Sequence, residues 1–169
     1  MARQRKFWLF STPILIDHGT DYIEPVETEN VMLGCGVIAM DRLYESDLWT
    51  AESADNLIET YIQEYGPECT REEASRVSAQ FHRFIHEMQC GDIIVLKIKD
   101  DRQLALGTLE GEYACRELSP AIFHVRKVRW IKVVRNISIP IPDMPGLEGE
   151  SPYEISPDAH SHILEAINI

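Results

Sequence analysis

One stretch constrains the fold more than any other: a long amphipathic segment that runs straight into a pair of apolar strands. It reads "TREEASRVSAQFHRFIHEMQCGDIIVLKIKDDRQLALGTLEGEY", residues 70–113. "TREE" (70–73) is a capping box, in which Thr70 and Glu73 satisfy each other's exposed amides. Ala74, Val77, Phe81, Phe84, Ile85 and Met88 then recur at helical spacing as one apolar stripe. Gly91 stops the helix. "DIIVLKIK" (92–99) is a strand, "DDR" a turn, and "QLALGTLEGEY" (103–113) the antiparallel partner. An apolar helix face must be buried, and the hairpin after it is the nearest surface to bury it.

The flanking segments extend this pattern. "KFWLFS" (6–11) reads as a first strand because aromatics suit a pleated surface, and Pro13 demotes the residues after it. "DHGTDYIEPVETEN" (17–30) is polar and turn-rich. "VMLGCGVIAM" (31–40) is a short apolar run in which Gly34 and Gly36 favour a strand with a bend. "SADNLIETYIQEY" (53–65) repeats Leu57, Ile58, Tyr61 and Ile62 at helical spacing, with Ser53 as cap and Gly66-Pro67 as stop. "IFHVRKVRWIKVV" (122–134) does not alternate cleanly, and a bulge near 126–128 is expected. "SIPIPDMPGLEGESPY" (138–153) carries four prolines and several acids and reads as a linker-like extension. Ser156 and Pro157 open a short final helix. The expectation is an α+β fold: a curled mixed β-sheet or partly closed β-barrel with inserted helices. It spans 1–137, with a proline-rich acidic extension over 138–169.

Charge narrows the function. The net charge is −12, which excludes a generic polyanion coat. It is unevenly spread: residues 11–92 carry −13 and residues 93–136 carry +4. An acidic body with a locally basic half-sheet suits a selective contact. No apolar run is long enough to span a membrane. The basic, apolar start is interrupted by Pro13 and reads as a strand, not an export signal.

Catalytic and metal signatures are missing. None of the five lysines has an acid two residues before it, so no nuclease-type acid–x–Lys set exists. There is no phosphate-binding glycine loop, no zinc-protease helix motif and no nucleophile elbow. His82, His86 and Cys90 fall four apart on one helical face, but without a second ligand pair they read as a polar flank. Cys35, Cys69, Cys90 and Cys115 form no close pair and read as reduced, mostly buried thiols in a cytoplasmic protein. Cys35 has no identifiable base partner and reads as a small packed residue.

Taken in order, "FWLFSTP", "LGCGV", "FHRFIHEMQCGDIIVL", "ALGTLEGEY" and "HVRKVRWIKVV" resemble the PUA-like superfamily. The likeness is to the N-terminal domain of Mrr-type restriction proteins and, more distantly, to EVE domains. It covers roughly residues 5 to 140. One departure is Cys35, where an aromatic, often Trp, is expected between the two glycines.

The resemblance implies a barrel pocket that holds a nucleobase, often a modified one. Trp8, Tyr113 and Trp130 would stack on the base. Ser11, Thr12 and Asp92 would meet its edge, Gly34 and Gly36 would let backbone amides come close, and Cys35 would line the pocket. Arg116, Arg126, Lys127 and Arg129 would hold phosphates. The implied function is a non-catalytic nucleic-acid sensor in a restriction or defence setting, needing no cofactor. DNA is preferred to RNA as its partner, and a partner subunit or further domain would supply the effector nuclease. The alternatives are a regulatory domain binding a small ligand or nucleotide, and a protein-interaction module.

Overall fold

The computed structural model describes residues 3–11, 15–16, 22–23, 32–40, 54–98, 103–115, 124–135 and 152–168. Its centre is a curled mixed sheet, a half-barrel, with helices packed on it. The strands are β1 (Phe7–Ser11), β4 (Val37–Met40), β5 (Ile93–Ile98), β6 (Gln103–Leu109), β7 (Ala114–Cys115), β8 (His124–Arg135) and β9 (Tyr153–Glu154). Their order is β4-β8-β6-β5-β1-β9, with β7 also beside β8. Two short strands, β2 (Leu15–Ile16) and β3 (Tyr22–Ile23), pair separately. The β1–β5 pairing is parallel and the other neighbours are antiparallel.

Both faces of the central strands are covered, which explains why β5 reads "IIVLKI" without alternation. On the inner face Trp8, Phe10, Ile94, Leu96 and Ala105 meet two helices. These are α1 (Ala54–Tyr65) and α2 (Arg71–His82). They supply Leu57, Tyr61, Val77 and Phe81 to the inner core. On the outer face Phe7, Leu9, Ile93, Val95, Leu104 and Leu106 are covered by Ile155, Ala159 and Ile163. These come from a single 3₁₀ turn (Pro157–Ala159), the residues just before it, and the final helix α3 (His160–Asn168). The end of the proline-rich extension is therefore built into the sheet, through β9 on β1 and α3 on the outer face. Among the described residues no helix is long and apolar enough to cross a membrane.

Local rules account for most element ends. The Thr70 side chain accepts from Glu73 N at 3.1 Å, as the capping box requires. The α2 helix does not run cleanly to Gly91. It loosens into a π-helical turn (Arg83–Glu87), closed by Met88 N donating to Arg83 O at 2.9 Å. Gly91, at φ 95°, then reverses the chain into β5.

Three sequence expectations need correction. Residues 31–40 are not one bent strand: 32–35 form a helical turn, Gly36 at φ 67° breaks it, and only Val37–Met40 is β4. Gly36 also lies against β8, where a Cβ would meet Val128 O at 3.2 Å. The strand expected over 103–113 ends at Leu109: its carbonyl accepts from Gly91 N, and the next two amides, Glu110 N and Gly111 N, both turn to donate to Lys127 O. The β8 bulge is not at 126–128 but at Ile131, the extra residue where Leu106 pairs with Lys132 and Gly107 with Trp130. Gly107 leaves the room this needs: a Cβ there would lie 2.7 Å from Val128 Cγ1 and 2.9 Å from Trp130 Cε3. The Ser53 cap, the "DDR" turn and residues 138–151 of the extension lie outside the described residues.

Candidate nucleic-acid interface

The strand β8, "HVRKVRWIKVVR", carries five bases and no acid. Strand geometry sorts them, because successive side chains point to opposite faces. Val128 and Trp130 join the inner cluster, so Lys127 and Arg129 between them lie on the outer face. The bulge at Ile131 shifts the phase, and Lys132 and Val134 then share the outer face with Leu106 and Leu104. The outer face of β8 thus presents Lys127, Arg129 and Lys132 in one row. Arg129 is exposed and reaches Glu110 Oε1 at 3.1 Å.

Arg126 is different. It is buried, and its guanidinium donates to Gly111 O at 3.0 Å, Phe84 O at 2.9 Å and Met88 O at 2.7 Å. It clamps the open π-helical turn to the turn after β6. Burial pulls its pKa below the ordinary value, opposed by Cys90, Glu112 and Asp92. Its expected role on phosphates is corrected to a structural one. Arg116 lies outside the described residues.

The expected base pocket does not assemble. Trp8 is wholly buried and its indole N–H donates to Asp92 Oδ2 at 2.9 Å. Asp92, also buried, accepts from Lys6 N at 3.2 Å, Gln89 N at 3.0 Å and the Arg3 guanidinium at 3.0 Å. Every acceptor direction serves the joint between β1 and β5, so neither residue meets a base. Tyr113 is buried as well, with its hydroxyl 2.7 Å from His124 Nδ1 and its ring edge-on to Phe84. The cleft expected after Gly111 is closed because that glycine seats directly on Lys127, whose Cβ lies 2.7 Å from where a glycine Cβ would be. Thr12 and the side chain of Ser11 lie outside the described residues.

A smaller group does come together at one corner. Trp130 is half-buried and its indole N–H donates to Met32 O at 3.0 Å. That bond, with Val128 N donating to Gly36 O at 2.8 Å, holds the 32–36 turn beside β8, and Gly34 and Cys35 are exposed on that turn. Ile131 (42%) and Val133 (50%) are large apolar residues exposed at the same place. Among the described residues β8 pairs beyond Trp130 with β6 alone, so 131–135 runs along an open edge. Lys132, Ile131 and Val133 were not among the expected site residues. Their signal was the broken alternation of this strand.

The remaining candidates do not gather into a metal cluster among the described residues. His82 Nδ1 faces Glu87 Oε1 at 3.7 Å and the His82 and His86 rings are 5.1 Å apart. Among the described residues no three of His, Cys, Asp or Glu are placed to hold a metal. The four cysteines are in no disulfide and are not mostly buried: Cys35 and Cys90 are exposed, Cys69 and Cys115 half-buried.

Fold and surface together define a class: an α+β half-barrel domain with a basic, partly apolar strand at its rim. Residues 21–151 match the family described as Domain of unknown function (DUF8426), and the chain belongs to that family. Comparison with curated proteins and with solved structures found no match.

Proposed function

We propose that this domain is a nucleic-acid sensor that performs no chemistry itself and makes its contact through β8. The observation that carries the reading is the gathering of five bases and no acid on one twelve-residue strand of a chain with net charge −12. A polyanion is repelled by the acidic body and attracted at that strand, which orients it. Lys127, Arg129 and Lys132 would contact phosphates, and the Gly34–Cys35 turn with Trp130 would border the bases. The half-barrel fits the PUA-like assignment. That assignment, the modified base, the restriction setting and an effector nuclease in a partner are supported by the sequence resemblance. If such a base is read, the corner at Trp130 offers the surface for it, since Trp8, Asp92 and Tyr113 are committed to the core.

The test is fluorescence anisotropy with labelled oligonucleotides. They would be unmodified or carry one modified cytosine or adenine, at two salt concentrations. The expected result is binding that weakens steeply with salt and favours one modified oligonucleotide, and that is lost in K127E/R129E. No binding to any member at low salt would contradict the reading.

A further inference from the structure

The cations and the apolar groups of β8 stand on different sides of the sheet. Lys127, Arg129 and Lys132 are on the outer face, whereas Val133 pairs with Ala105 of the inner core and Trp130 packs on the inner side. A ligand that used only the cations would leave Ile131 and Val133 in water. The way from one side to the other is the edge at 131–135, which is open among the described residues. Lys127 to Lys132 spans about 13 Å at the usual rise of a strand, because Ile131 adds no step along the ladder.

A duplex cannot follow that path. It is stiff over far longer distances, presents phosphates outward and keeps its apolar base faces stacked inside. An unpaired strand is flexible, and its bases offer apolar faces that pack on aromatic and aliphatic side chains. It can lay its phosphates along the outer row and turn its bases over the edge.

Resting on the function proposed above, we infer that the ligand of this surface is an unpaired nucleic-acid strand. Its phosphates meet Lys127, Arg129 and Lys132, and its bases cross the open edge of β8 onto Ile131, Val133 and the exposed side of Trp130. The row accommodates about three nucleotides, fewer than the roughly 4–16 of an OB-fold single-strand site.

Competition between a single-stranded oligonucleotide and the blunt duplex of the same sequence tests this on the full chain. The single strand is expected to bind at least tenfold more tightly. I131S/V133S is expected to lose about tenfold of single-strand affinity while its salt dependence stays that of the wild type. Both residues are exposed, and circular dichroism with a melting curve checks the fold. I131S and V133S alone provide intermediate losses. Duplex binding equal to single-strand binding, with a steep salt dependence, overturns the inference and leaves the nucleic-acid reading standing. Unchanged affinity in folded I131S/V133S does the same. Absence of all binding overturns both.

Discussion

Asp92 and Lys127 show how differently two charged residues act in this molecule. Asp92 takes hydrogen bonds from Trp8, Lys6, Gln89 and Arg3 while almost wholly buried. Asp92→Asn keeps the shape but removes the charge and turns one acceptor into a donor facing donors. The expected loss is about 2–4 kcal/mol in urea unfolding, since hydrogen bonds to buried charges are the strong ones. Lys127→Glu, on the surface, should stay within about 0.5 kcal/mol of the wild type. Equal effects of the two would contradict their placement.

Tyr61 gives a pH test. Burial first, and then Glu73, hold its phenol above its ordinary value of 10.0. As pH passes 10.0 the unfolded chain loses this proton first. The stability it contributes is therefore whole below that pH and is lost as pH climbs through the raised folded value. Tyr61→Phe should flatten the alkaline limb of the stability profile, and an unchanged limb would argue against it.

Helix α2, its capping box and the β5–β6 pairing were legible from sequence, because each rests on local periodicity and one local hydrogen bond. The bulge was not. Broken alternation shows that β8 changes phase, but the point of change is set by Gly107 on the neighbouring strand, where Val128 and Trp130 crowd in. Deleting Ile131 would restore a regular ladder and leave Lys132, Val133 and Val134 on the faces they already hold, opposite Leu106, Ala105 and Leu104. A cooperative melting transition is therefore expected to survive both the deletion and Ile131→Ala, and its loss in the deletion alone would place the extra residue elsewhere in the strand. The proline-rich extension reads from sequence as linker-like, yet its end packs on the sheet. Sequence could not show this because the surface that α3 covers, Phe7 to Leu106, lies on strands distant in the chain. Ile163 is fully buried there, so Ile163→Ala should lower stability by about 2–4 kcal/mol. A midpoint that does not move would mean the last helix is no part of the folded unit.

At the scale of the whole molecule, an acidic body holds one basic strand at its rim. The aromatic residues that looked most like a base pocket went into the core, as aromatics do. The cations mostly stayed outside, and the one that did not, Arg126, found three carbonyls, two of them left by a loosened helix end. Composition along the chain thus marked β8 as a basic strand. Which side chains of it reach solvent depended on strand phase and on a glycine in its neighbour.

The central claim is that nucleic acid binds along the outer row of β8. The measurement that tests it most directly is the salt dependence of oligonucleotide affinity, for the wild type and for K127E/R129E/K132E. Release of about 0.7 counterions per phosphate contact on a single strand predicts that the log–log slope falls by about 2 when three contacts are removed. A slope that is the same in both proteins, or a wild type that binds nothing at low salt, would contradict the account.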